Sequence, residues 1–363
     1  MTHLNELYLI LNKSLKWNKS HLKCFALIML VIILKQTCNL SSASKALPIK
    51  CLPQSFYRRM QRFFAGQYFD YRQISQLIFN MFSYDQVQLT LDRTNWKWGK
   101  RNINILMLAI VYRGIAIPIL WTLLNKRGNS DTKERIALIQ RFIAIFGKDR
   151  IVNVFADREF IGEQWFTWLI EQDINFCIRV KKNFIVTNHL GKNHKISDLF
   201  RHLKVGQIEC RKRRILVGRV KLYISALQLE NGELLLVVSP QFNANAIHDY
   251  ALRWEIETLF SCLKGRGFNL ENTRLTDPRR VKKLIAVLAI SFCWCYLTGE
   301  WQHDQKKAIK IKKHGRLSMS LFRYGLDYVQ MAIQRLIGFG KKEEFKEILA
   351  ILRRQNPDRI RVL

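Results

Sequence analysis

Acidic residues are scarce in this chain: 28 Asp and Glu stand against 60 Lys and Arg in 363 residues, a formal net charge of +32. An enzyme acting on a small acidic molecule needs no such excess, so the expected partner is a polyanion, either nucleic acid or an anionic membrane. Long apolar runs are also lacking. Cys24 to Leu34 spans eleven residues between Lys23 and Lys35, and Leu284 to Leu297 spans fourteen. Both fall short of the roughly 18–20 residues that cross a bilayer, so they read as buried helices and the partner as nucleic acid. The first run, followed by Ser41-Ser42-Ala43, mimics a signal peptide, but the 23 residues before it are themselves patterned as helix. The eight cysteines contain no CxxC or zinc spacing, which excludes a zinc ribbon or redox motif and leaves reduced, mostly buried thiols. Internal repeats and low-complexity tracts are missing too. A disordered basic tail is excluded by the 48% hydrophobic and 12% aromatic content.

What is present divides into texturally distinct stretches. Residues 1 to about 82 are patterned as helix. Asn39 to Ala46 and Gln54 to Phe64 form two amphipathic stretches separated by a connection from Leu47-Pro48 to Pro53. Arg58, Arg59 and Arg62 recur at helical spacing among Phe56, Met60, Phe63 and Phe64. This arrangement suits either a helix-turn-helix or a small bundle with a solvated basic face. From Tyr84 the pattern becomes β-β-β-α-β-α-β: strands at Val87–Leu91, Ile103–Tyr112, Ile115–Leu124, Ile151–Phe155 and Asn175–Val180, and helices at Lys133–Phe146 and Gly162–Ile170. Asp92 and Asp157 end the first and fourth strands. Residues 183–240 interrupt with short β-like runs and the basic cluster Arg211–Arg214, and helical patterning returns from Ala246.

The stretch His248–Phe268 carries the chemistry. At about 100° per residue, with Tyr250 placed at 0°, Arg253 falls near roughly 300°, Glu257 near 340° and Lys264 near 320°. Leu252, Ile256, Leu259 and Leu263 form a separate apolar seam. Glu255 turns to a different face, so its replacement by Gln is expected to be nearly silent. A carboxylate flanked by arginine, lysine and a tyrosine hydroxyl suits a phosphate held beside a metal, whereas a simple i,i+4 ion pair would explain Arg253 with Glu257 alone. Two-metal phosphodiester chemistry needs several converging carboxylates, and Asp92 and Asp157 supply two more. Asp85, Asp131, Asp149, Glu159 and Glu163 compete, but sit in expected turns or helix starts.

These residues resemble the bacterial insertion-sequence transposases of the DDE type, in the family named IS-four. The signature Y-x2-R-x3-E-x6-K is met by Tyr250, Arg253, Glu257 and Lys264, and the aspartate motifs by Leu91-Asp92-Arg-Thr-Asn-Trp96 and Ala156-Asp157-Arg-Glu-Phe160. Asn272–Pro278, Lys312-Lys-His-Gly-Arg316 and Ser320-Leu-Phe-Arg-Tyr-Gly325 are similar as well. The resemblance implies an α/β fold with an RNase H-like core, a mixed five-stranded sheet with flanking helices, interrupted by a β-rich insertion and bounded by helical terminal regions. The implied divisions are a DNA-binding region at 1–82, core at 83–182, insertion at 183–240, core with the glutamate helix at 241–300, and a basic helical region at 301–363. Asp92, Asp157 and Glu257 would then be catalytic and bind two Mg2+ or Mn2+ ions, Arg253 and Lys264 would grip phosphates, and Tyr250 would bond the same backbone. The expected activity is binding of terminal inverted repeats in double-stranded DNA, cleavage and strand transfer into target DNA by a dimer in a synaptic complex, through a hairpin, in the bacterial cytoplasm. An RNase H-like nuclease without strand transfer, or an inactive DNA-binding derivative, are the alternatives. Relatives that stack a flipped base use a tryptophan in the insertion; here none lies between Trp168 and Trp254, and Phe184, Phe200, Tyr223 or Phe242 would have to serve.

Overall fold

A computed structural model describes residues 2–47, 51–188 and 191–353. It divides into two compact units, one of residues 1–84, 96–103 and 259–363, the other of residues 85–95 and 104–258.

The chain starts with five helices of the first unit: α1 (Thr2–Ser14), α2 (Lys19–Lys35), α3 (Leu40–Ala43), α4 (Pro53–Gly66) and α5 (Tyr71–Met81). The apolar run Cys24–Leu34 is buried all round on α2, as a helix without a polar face must be. Trp17, Phe25, Phe63 and Phe69 cluster beside it, with Trp17 and Phe69 ring centroids 4.6 Å apart. The expected helix over Asn39–Ala46 is a single turn, and residues 48–50 of the connection lie outside the described residues. Among the described residues this turn is four residues long against the fourteen of α4. On α4, Phe56, Met60, Phe63 and Phe64 turn inward while Arg58, Arg59 and Arg62 stay exposed.

Then follow β1 (Val87–Trp98), β2 (Arg101–Tyr112), β3 (Ile115–Leu123), α6 (Thr132–Phe146), β4 (Ile151–Ala156), α7 (Glu163–Glu171) and β5 (Phe176–Arg179). Asp131 and Glu134 form a reciprocal capping box that starts α6. Arg113 and Gly114, at φ 48° and 84°, make the tight β2–β3 turn with the doubly positive φ that such hairpins require. The strands lie in the order β3-β2-β1-β4-β5, with β1/β4 and β4/β5 parallel. The sheet does not stop at five strands. β6 (Ile185–Thr187), β7 (Asn193–Lys195), β8 (Ile208–Cys210), β9 (Ile215–Val217), β10 (Val220–Gln228) and β11 (Leu234–Ser239) continue it, because β11 pairs antiparallel with the edge that β5 would otherwise leave open. The β-rich insertion is thus an extension of the same sheet, eleven strands among the described residues.

After β11 come α8 (Ala246–Ala251), a 3-10 turn (Leu252–Trp254) and α9 (Glu255–Leu263), where one helix over His248–Phe268 was expected. The first unit then closes with α10 (Pro278–Gln305), α11 (Leu321–Phe339) and α12 (Glu343–Arg353). Asp277 caps α10 by accepting from the amides of Arg279 and Arg280, with Pro278 in the first turn. By length and mean hydropathy α10 is able to cross a membrane, but 89% of its apolar window is buried within the protein, and it serves as a core helix. None of the eight cysteines is in a disulfide, and six are buried. Burial pushes the Cys24 and Cys177 thiols up to about 11, away from the thiolate.

Candidate active site

Four expected site residues, Asp92, Asp157, Tyr250 and Arg253, and Glu257 with them, fall in the second unit. The register of the parallel pair β1/β4 sets Leu91 opposite Ala156, so the next residue on each strand is an aspartate. The two carboxylates share a local geometry. Asp92 Oδ1 accepts from the Arg93 amide at 2.6 Å, and Asp157 Oδ1 accepts from the Arg158 amide at 2.6 Å. Each therefore keeps an outer oxygen for another partner.

Arg253 supplies that partner for Asp92. Its buried guanidinium donates to Asp92 Oδ2 at 3.3 Å and to Glu257 Oε1 at 2.5 Å, joining the first strand to α9. The break into a 3-10 turn keeps helical backbone angles, so Arg253 and Glu257 still share a face. Burial pushes the Asp92 carboxyl up to about 7; the Arg93 amide and Arg253 oppose this, while Glu159 and Asp157 add to it by like-charge repulsion. Tyr250 packs its ring with Phe155, Cys177, Val237 and Ile247. Its hydroxyl is buried without a hydrogen-bond partner among the described residues, and burial raises its pKa. Trp254, 63% exposed, has its ring centroid 5.4 Å from the Arg253 guanidinium carbon.

Lys264, the remaining expected phosphate contact, falls in the other unit. It follows the end of α9, in the first unit, where its Nζ pairs with Glu271 at 2.7 Å. Among the described residues, no three His, Cys, Asp or Glu side chains stand close enough together to ligate one ion as placed. The donor chemistry nonetheless fits a hard divalent cation: two carboxylates from neighbouring strands, a third tied to Asp92 through Arg253, and the orphaned Tyr250 hydroxyl. β1 runs on past the expected end at Leu91, so Asp92 sits midway along it while Asp157 follows the last residue of β4. Of the aromatic residues in the insertion, Phe200 is buried under Arg211, Phe184 is half-buried, and Phe242 is 44% exposed against Tyr223.

Three groups to which the sequence pattern assigned no supporting part hold this site: Glu159 and Glu255, set aside by that pattern, and Arg135, on which it is silent. Glu159 is not a turn residue without further role: Arg93 donates to both its oxygens, at 3.0 and 3.1 Å, and also reaches Asn104 and Asn129. Buried Arg135 donates to the carbonyls of Ser130, Glu159 and Ile161, holding the loop that follows Asp157. Glu255 faces away from Glu257, as expected, yet it is buried and its two oxygens accept from the amides of Tyr112 (2.8 Å) and Gly114 (2.9 Å), clamping the β2–β3 turn. Its carboxyl is pushed up to about 7 by burial, against those two amides. The signal for Arg93 was its position directly after Asp92; nothing local pointed to Glu255 or Arg135.

A family model described as a transposase DDE domain matches residues 84–294. The chain belongs to that family. The match runs from the start of β1 into α10 and includes every residue of the carboxylate–arginine group above. Members of the DDE transposase family in general break and join DNA phosphodiester bonds and use divalent metal ions. A solved structure of a piggyBac transposase synaptic complex with hairpin DNA is similar over 98% of this chain and 84% of that chain, at 12% identity and a TM-score of 0.49. No curated protein matches the sequence.

Proposed function

We propose that this DDE transposase belongs to the bacterial IS-four group and moves its own insertion sequence by cut-and-paste transposition. Asp92, Asp157 and Glu257 are its catalytic carboxylates. The observation that carries the reading is the strand register that sets Asp92 beside Asp157, with Arg253 linking Asp92 to Glu257. The order β3-β2-β1-β4-β5 supports an RNase H-like core. Two Mg2+ or Mn2+ ions held by the three carboxylates would activate water and stabilise the attacking and leaving oxygens.

The protein's own groups do the rest. Arg253 engages one oxygen of Glu257; when Glu257 turns wholly to an ion, the freed guanidinium is available to a DNA phosphate, a bidentate partner that suits arginine. The buried Tyr250 hydroxyl, without an acceptor among the described residues, donates to the same backbone. Lys264 is a further phosphate contact. Water attack at an element end breaks the phosphodiester and leaves a 3′-hydroxyl; that hydroxyl attacks the opposite strand to give a hairpin, which reopens before strand transfer into the target. Phe242 offers an exposed ring for a flipped base. Arg58, Arg59 and Arg62 on α4 face solvent and engage the terminal inverted repeats. Two ends must be joined, so the working form is a dimer in a synaptic complex, acting on the bacterial nucleoid in the cytoplasm.

The test is a cleavage and end-joining assay on a linear fragment carrying candidate ends, with and without Mg2+. Asp92→Asn, Asp157→Asn and Glu257→Gln should each abolish cleavage while leaving end binding nearly intact. Normal cleavage by any one of them refutes the triad, and cleavage without joined products reduces the protein to a nuclease.

A further inference from the structure

The connection between α10 and α11 belongs to no part of the site described above. No Asp or Glu occurs between Asp304 and Asp327, a stretch that holds Lys306, Lys307, Lys310, Lys312, Lys313, Arg316 and Arg323. Two of these cations are answered within the fold: Lys306 pairs with Glu347 at 2.7 Å and Arg323 with Asp327 at 2.7 Å. Lys307, Lys310, Lys312, Lys313 and Arg316 are exposed and have no carboxylate partner among the described residues.

This segment is a built hairpin. Ile309 is buried, and its amide donates to His303 Nδ1 at 2.8 Å. The Tyr324 hydroxyl donates to the Lys307 carbonyl at 3.0 Å, anchoring the first arm to α11. Ile311 and Leu317 form an antiparallel bridge, with the Ser318 amide on the Lys310 carbonyl and the Lys312 amide on the Arg316 carbonyl, both at 2.8 Å. Gly315 closes the turn at φ 79°, where a side chain would strain the backbone. Five like charges are thus borne within ten residues on an ordered frame, where an external polyanion would offset them. A polymer with regularly spaced charges answers several of them at once, and the frame pays little ordering entropy on binding.

We propose that the Lys307–Arg316 hairpin docks the phosphate backbone of duplex DNA. The proposal rests on the transposase reading for its choice of polyanion. Binding of full-length protein to a linear duplex is measured across a salt series. The triple variant Lys312→Ala, Lys313→Ala, Arg316→Ala should lower the slope of log affinity against log salt by about 2–3, at roughly 0.9 for each phosphate that is no longer neutralised. Lys312→Arg with Lys313→Arg, which keeps the charge, should retain the wild-type slope, and both variants should melt like the wild type. A wild-type slope in the triple variant, with cleavage of element ends intact in the parent protein, overturns the hairpin assignment alone. A parent protein that binds no DNA overturns the transposase reading and the hairpin with it. Because Ile311 is 70% exposed, phosphatidylglycerol vesicles form a third arm: vesicle binding that disappears in the triple variant, with the DNA slope unchanged, overturns the proposal in favour of a membrane surface.

Discussion

Gly299 on α10 and Gly325 on α11 face each other where the two helices cross in close contact. A β-carbon built on Gly325 would lie 1.8 Å from the Cys295 carbonyl oxygen and 2.4 Å from the Gly299 nitrogen, and one on Gly299 would lie 1.9 Å from the Leu321 carbonyl oxygen. These neighbours are backbone atoms of packed helices and have no rotamer by which to give way. Since heavy atoms in contact sit about 3.5–4.0 Å apart, Gly325→Ala forces the helices to part by roughly 1.5 Å, a gap that forfeits much of the dispersion energy along the crossing. Alanine at the same time gains about 1 kcal/mol of helix propensity. Overpacking of this kind costs about 3 kcal/mol or more when the backbone itself must shift, so the net loss is about 2–4 kcal/mol. For a unit of about 200 residues, that lowers the melting temperature by roughly 5–15 °C. Gly338, in the last turn of the same helix, is the control: its β-carbon would meet nothing within 4 Å. Gly338→Ala should therefore stabilise by up to about 1 kcal/mol. Thermal melts followed by circular dichroism at 222 nm read both signs. A Gly325→Ala protein that melts at or above the wild type, or a pair of variants that shift together, refutes the close-crossing argument.

Other outcomes follow from single contacts. Glu255→Ala leaves the amides of half-buried Tyr112 and exposed Gly114 without their acceptor, and because water reaches them in part the cost falls towards the lower end of the roughly 1–3 kcal/mol for an unsatisfied donor; it should lower both thermal stability and end cleavage, whereas Glu255→Gln keeps one acceptor and should be much milder. Equal melting and cleavage for the alanine variant and the wild type would exclude a clamping role. Asp277, hydrogen-bonded by the Arg279 side chain and by the amides of Arg279 and Arg280, is held down to about 2. A depressed folded-state pKa contributes stability above the unfolded value of about 3.9 and loses it as pH falls towards 2. Wild-type protein should thus lose stability between about pH 4 and 2 relative to Asp277→Ala, which at neutral pH is weaker by about 0.5–2 kcal/mol through loss of the cap. Identical acid-unfolding curves for the two proteins would count against this cap.

The difference between what was legible in the chain and what was not follows the range of the interactions involved. The strands at Ile103, Ile115 and Ile151 were legible as largely apolar runs bounded by turn signals such as Arg113-Gly114, and the one at Val87 by its alternation of apolar and polar residues, although its polar continuation to Trp98 was not. Asp92 and Asp157 stood out because each closes such a run, and Arg253 with Glu257 because four residues of spacing is a local helical relation. The pairing of β11 with β5 was not legible, since an open edge is a property of the assembled sheet and neither strand alone advertises its neighbour. The same holds for Glu255. Its partners are backbone amides 141 and 143 residues away, which carry no side-chain signature, so facing away from the carboxylate group was mistaken for having no role. Gly325 shows the limit most sharply. It was visible as the last letter of Ser320-Leu-Phe-Arg-Tyr-Gly325, but its reason is a carbonyl at Cys295, thirty residues earlier on a different helix. A motif read as a string reports that a residue type is required there; only the crossing shows that the requirement is the absence of a side chain.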